Sequence, residues 1–159
     1  YDLKSNKLCT PLIYGIKNKV NVRIIELLLN HKVNPNYIDS QGNTALHYAA
    51  LCDNKEVIPF LIQHGARDML CNNNQMTPLM IFADKLNDAG IQILMSYSSD
   101  IYQTNVFELT AFDYYSDASS SSGVVDHNAI FYLLKPGLLR SVCEFFKKKF
   151  IFITEGYYV

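Results

Sequence analysis

The sequence has no surplus of positive charge: 14 lysines and arginines stand against 15 aspartates and glutamates, for a net charge of −1. A nucleic-acid binder needs clustered cations to displace the counterions of the phosphates. The one basic run, Lys147-Lys148-Lys149, reads as solvation of an otherwise apolar C-terminal segment, so no nucleic-acid partner is expected. A disulfide or zinc framework is missing too. Cys9, Cys52, Cys71 and Cys143 form no C-x-x-C pair, and none stands beside a histidine at zinc-ligand spacing. They read as reduced thiols, which points to the cytoplasm, or the nucleus, rather than an oxidising compartment. No apolar stretch reaches the roughly eighteen residues that cross a bilayer, so no membrane partner is expected. G-x-x-x-x-G-K-[ST], G-x-G-x-x-G, G-x-S-x-G and H-E-x-x-H are all absent, which removes the common nucleotide, hydrolase and metalloprotease fingerprints. The expectation is no enzyme: no catalytic residue, no metal, no cofactor and no small-molecule substrate. The chain opens on Tyr1 rather than methionine, and a fragment or processed form is expected.

What the sequence does contain is repetition. Its 159 residues are 49% hydrophobic and 18% charged, enough apolar surface for a packed domain or a short repeat array. Four segments begin with threonine: Thr10-Pro11-Leu12, Thr44-Ala45-Leu46-His47, Thr77-Pro78-Leu79 and Thr110-Ala111-Phe112, spaced 34, 33 and 33 residues apart. The second unit runs Asp39-Ser40-Gln41-Gly42-Asn43-Thr44-Ala45-Leu46-His47-Tyr48-Ala49-Ala50, then Val57 to Ala66. On these units the chain resembles the ankyrin-repeat family from about residue 5 to 135, through the T-P-L-H-x-A signature and its period of about 33 residues. The resemblance implies an all-α solenoid of about four helix-turn-helix repeats, near 5–38, 39–71, 72–104 and 105–136, within an array spanning 1–136. Residues 137–159 would form a C-terminal helical cap or tail.

The physical chemistry agrees. Thr-Pro supplies a hydroxyl N-cap followed by a proline where the missing N–H costs nothing. The second helices carry too much apolar bulk to stand alone, as in Ile24, Ile25, Leu27, Leu28 and Leu29, and stacking neighbours would bury it. Gly65 suits a helix end and Gly42 the turn before the next repeat. One residue is inserted between the helices of repeat one, around Lys19-Val20-Asn21, accounting for the spacing of 34. Pro59 falls about a turn into a helix, so that helix begins late or bends. Repeat three reads Asn72-Asn73-Asn74-Gln75 where Asp-x-x-Gly is usual, and a looser turn is expected. Repeat four is interrupted: Ser116-Asp117-Ala118-Ser119-Ser120-Ser121-Ser122-Gly123 reads as a mobile polar loop between its two helices.

The four histidines have structural readings. His47 lies in the signature, where the family uses it to bond the capping threonine and the neighbouring turn. His31 and His64 stand at matching helix ends, which suits the helix dipole, and His127 pairs with Asp126 in a loop. Asp2, Asp39, Glu56, Asp84, Asp88 and Asp100 fall at turns or helix starts and read as caps. In ankyrin arrays the turn tips and the exposed sides of the first helices build a concave binding face. By register that face carries Lys17 and Asn18 from repeat one, with Ser40, Gln41, Asn43, Leu51 and Cys52 from repeat two. Repeat three adds Asn73, Asn74, Met76, Asp84 and Lys85, and Val106, Phe107 and Leu109 extend it into repeat four. An apolar group rimmed by asparagine and lysine suits a protein partner.

The segments Asn34-Pro35-Asn36-Tyr37-Ile38-Asp39 and Gly42 to Ala49, with a wealth of Asn, Ile, Lys and Tyr, are similar to the ankyrin proteins of poxviruses. That resemblance implies an intracellular host-range or immune-modulating factor acting in the host cytoplasm on a host protein. Many such proteins also recruit a cullin ubiquitin ligase through a C-terminal F-box-like segment, which makes a substrate-recognition subunit the alternative. Residues 137–159 show no such segment. A regulatory ankyrin fragment of a larger protein is the third reading.

Overall fold

The computed structural model describes residues 10–97, 100–122, 130 and 134. His127 and the expected cap at 137–159 lie outside the described residues. Within them the chain is all-helical: α1 (Pro11–Lys17), α2 (Val22–Asn30), α3 (Ala45–Leu51), α4 (Ile58–Gln63), α5 (Pro78–Asp84), α6 (Asp88–Ser96) and α7 (Ala111–Ser122). The first helices form one layer in which α1 packs on α3, α3 on α5 and α5 on α7. The second helices form the other layer, where α2 packs on α4 and α4 on α6, and each is joined to the first helix of its own repeat. This is an ankyrin solenoid.

Every first helix starts the same way. The hydroxyls of Thr10, Thr44, Thr77 and Thr110 accept the amides of Ile13, His47, Met80 and Asp113, each three residues on. Beyond the C-cap of the first helices, Lys19, Asp53 and Leu86 take the same left-handed conformation at φ 48, 50 and 52. Asn54 and Asn87 cap the next element ten residues after their threonines, but Asn21 does so after eleven, which locates the extra residue of repeat one. Pro59 does not kink α4. A 3-10 turn over Lys55–Val57 delays the helix, so the proline stands in its first turn, where its lack of an N–H is harmless.

Two expectations are corrected. The turn of repeat three is not looser. Asp39, Asn72 and Asn105 each accept, through Oδ1, the amides two and four residues on, at 2.9 to 3.1 Å. An asparagine carries the same acceptor oxygen as the aspartate, so the change of residue leaves the turn intact. Gly42, Gln75 and Glu108 share its left-handed position, at φ 74, 60 and 60. Only glycine adopts that conformation without strain. Gln75→Gly and Glu108→Gly are each expected to raise stability by about 0.5–1 kcal/mol, the relief being partly offset by a freer unfolded chain. Urea denaturation checks this, and a loss of stability would show that the side chains make contacts worth more than the strain.

The second correction concerns the serine-rich stretch. Residues 116–122 are not a loop but the continuation of α7. Serine is a poor helix former because its hydroxyl competes for the backbone. Here Ser119 and Ser120 donate to the Ser116 carbonyl and Ser122 to that of Ser119, so the competition is resolved within the helix. Buried Ala111 and Tyr115 pin one face of α7 to α5, and the Tyr115 hydroxyl donates to Asp88 at 2.8 Å. Ile130 and Leu134, both helical, join the same core. Hydrogen exchange should therefore find the amides of 115–119 protected well beyond open-chain rates. Open-chain exchange there would restore the loop.

Candidate partner-binding face

The repeat turns are tied to one another across the stack. The Asn72 amide donates to Asn43 Oδ1 at 2.9 Å, the Asn73 side chain to the Ser40 carbonyl at 3.0 Å, and the Asn73 backbone N–H to the Gln41 carbonyl at 2.9 Å. His47 makes a further tie. Its Nδ1 accepts the Thr44 backbone N–H at 3.1 Å, so that nitrogen carries no proton. Its Nε2 therefore donates, reaching the Met76 carbonyl at 3.0 Å. The imidazole is fully buried, and burial holds its pKa below the ordinary histidine value against the opposing pull of the Met76 carbonyl and Asp39. The Asp39 carboxylate is pushed up by burial. The Tyr48 hydroxyl, the Asn43 and Gln41 amides and the Lys17 charge outweigh this and hold its pKa below the usual range.

Between these turns and the ends of α3 and α5 lies an open cleft of about 380 Å³. It brings together Ser40, Gln41, Asn43, Leu51, Asn73, Asn74, Met76, Asp84 and Lys85 from the residues anticipated by sequence. Asn43 is only 3% exposed, its amide occupied by Asn72 and Gln41, so it braces the wall. Lys85 leans across the cleft edge, donating to the Leu51 carbonyl at 2.6 Å. Lys17, Asn18, Cys52, Phe107 and Leu109 do not line it. The Lys17 ammonium stands over the Tyr48 ring at 4.9 Å, and Asn18 caps α1 through the Tyr14 carbonyl. Cys52 is the half-buried C-cap of α3. Phe107 and Leu109 are exposed on the next turn along. Two lining residues were not anticipated, Asn72 and Ile81. They occupy the places of Asp39 and Tyr48 one repeat later, positions outside the anticipated face, so register carried along the repeats from that face does not reach them.

His31 and His64 are the C-caps of α2 and α4, each bonding through Nδ1 the carbonyl four residues back at 2.8 Å. Among the described residues no group of three or more His, Cys, Asp or Glu could hold a metal ion. No helix among them is long and apolar enough to cross a membrane. A second, larger cleft of about 540 Å³ lies between the helix-connecting turns of repeats one and two, lined by Lys19, Arg23, Asp53, Lys55 and Glu56 among others.

Comparison with known proteins gives the same architecture. A family model described as ankyrin repeats (3 copies) matches residues 1–69. Neurogenic locus notch homolog protein 1 of Danio rerio is 35% identical over 80 residues, covering 50% of this chain and 3% of that protein. Its Homo sapiens counterpart is 32% identical over the same length. Ankyrin repeat protein B18 of vaccinia virus (strain Copenhagen) is 29% identical over 92 residues, covering 55% of this chain and 15% of that protein. The chain thus spans a small part of the length of the curated relatives it matches. The family match covers residues 1–69, and the matching caps, turns and helix pairs carry the same ankyrin-repeat architecture on to α7, the build of a protein–protein interaction module.

Proposed function

We propose that the chain binds a host protein through the face built around the cleft of repeats two and three, as a host-range or immune-modulating factor in the host cytoplasm. The observation that carries the reading is that cleft. Nine residues of the register-derived face line one open depression, with Leu51, Met76 and Ile81 supplying its apolar surface and asparagine, lysine and aspartate its rim. Its walls are braced by hydrogen bonds between repeats, so little ordering entropy opposes docking. Similarity to vaccinia B18, alongside the Notch proteins, supports a partner in the infected host.

Leu51→Glu with Met76→Glu is expected to abolish capture of partners from host-cell lysate, read by mass spectrometry, with circular dichroism unchanged. Both residues border solvent, so the charges are tolerated by the fold but not by an interface core. Capture that survives the pair of substitutions would place docking elsewhere.

A further inference from the structure

The three described inter-repeat turns are built alike, yet their tips differ in chemistry. Ser40-Gln41 and Asn73-Asn74 are polar; the equivalent Val106-Phe107 is apolar, 66% and 69% exposed, with Leu109 beside it. Asn73 ties its turn back to the preceding one, whereas Val106 has no side-chain donor to do so. The apolar tip is nonetheless held firmly. Asn105 accepts the amides of Phe107 and Leu109 at 3.0 Å and donates to the Tyr114 hydroxyl at 2.9 Å. A large apolar pair on a braced turn is a preorganised anchor.

Among the described residues that follow Lys85, the charge has one sign. Residues 10–85 hold seven lysines and arginines against six carboxylates, whereas 86–122 hold five carboxylates and no lysine, arginine or histidine. Asp113 is taken up by Thr110, Asp88 by Tyr115 and Asp100 by the Tyr102 amide. Glu108 and Asp117 are left exposed to solvent, beside the tip and on α7. The seventh residue of the successive first helices reads Lys17, Leu51, Asp84 and Asp117, cationic at one end of the array and anionic at the other. Lys85, next to Asp84, directs its ammonium toward repeat two, where it donates to the Leu51 carbonyl at 2.6 Å.

We infer that the Phe107 turn and the Asp84–Asp117 edge form the part of the docking face that takes a lysine- or arginine-rich segment of the partner carrying an apolar side chain. The apolar residue packs on Val106, Phe107 and Leu109, and the cations lie over Glu108, Asp84 and Asp117. This rests on the reading of the concave side as the docking surface, and it sets the partner's polarity along the array.

The test uses the full chain and two labelled peptides, one lysine-rich with two leucines and one with glutamates in place of the lysines, read by fluorescence anisotropy. The lysine peptide is expected to bind at least about tenfold more tightly. Asp84→Asn with Asp117→Asn, and separately Phe107→Ser, should each weaken it about five- to tenfold, the first loss shrinking as salt is added. Equal binding of both peptides, or full affinity in both variants, overturns the inference. If Asp84→Asn with Asp117→Asn captures lysate partners normally while Leu51→Glu with Met76→Glu does not, the basic segment is wrong and the cleft stands. If both capture normally, the two readings fall together.

Discussion

Phe82→Ala should be the most damaging single core substitution, lowering the free energy of unfolding by about 3–5 kcal/mol. Phe82 is fully buried on α5, the helix that packs against α3, α6 and α7. Its ring lies against the backbone of α6 at Gly90, where an added Cβ would stand 2.4 Å from two ring carbons. The site is therefore closed from both sides: the ring needs glycine opposite it, and the glycine needs the ring to fill the gap. Truncating Phe82 leaves a void that the backbone of α6 cannot collapse into without dragging α4 with it. Gly90→Ala on its own should cost about 1–3 kcal/mol through overpacking, despite alanine's better helix propensity. Combined with Phe82→Ala it should cost little or even restore stability, because the clash has gone. Urea denaturation of the four species closes the cycle. A cost for Gly90→Ala that is the same in both backgrounds would mean that ring and glycine are not coupled as their geometry requires.

The parts of this fold that were legible in the sequence were those where spacing and local chemistry say the same thing. The threonines at 10, 44, 77 and 110 are caps by residue type and repeats by position, and each starts an equivalent helix. Pro59 left a late start or a bend open, and the late start is the one found, with the proline in the first turn where its missing N–H is harmless. Reading failed where residue type was a poor guide to its setting. Asn72 and Asn105 replace an aspartate without changing the turn, because the acceptor oxygen is what the amides need. Residues 116–122 look like a linker by composition, but the helix is fixed by Ala111 and Tyr115 on α5, a tertiary contact that no local window displays. The same misreading removed Asp117 from the expected face. Of that face, register placed most of the cleft-lining residues, since repeats fix which side of a first helix is turned outward. It could not tell that Asn43 would be spent on bracing, nor that Lys17 would lie over Tyr48, because both depend on which side chains meet.

Stability should fall as the solution is acidified, and His47 should account for a defined part of the loss. The sign follows from the tautomer. In the folded chain Nδ1 faces the Thr44 N–H and cannot accept a proton without setting two donors against each other, and burial lowers the pKa from its ordinary value near 6.5. The unfolded chain meets no such obstacle and protonates as the pH falls through that value. It then binds more protons than the folded chain, so the stability present at higher pH is lost progressively until the folded pKa is passed. Asp39 adds a second loss of the same sign below its ordinary 3.8, where the unfolded carboxylate protonates before the folded one. His47→Ala should cost about 2–3 kcal/mol at neutral pH, since it leaves the buried Thr44 N–H and the Met76 carbonyl unpaired. His47→Met is the informative comparison. Repeat three already places Met80 there, with its sulfur 3.5 Å from the Thr77 N–H, so methionine keeps one interaction and has nothing to titrate. Unfolding free energies measured from pH 8 to 5 should converge between wild type and His47→Met as the pH falls, because only the wild type loses the histidine contribution. A constant gap across that range would show that His47 takes up its proton in the folded stack as readily as in the open chain, and that the Thr44–His47–Met76 link does not fix its charge.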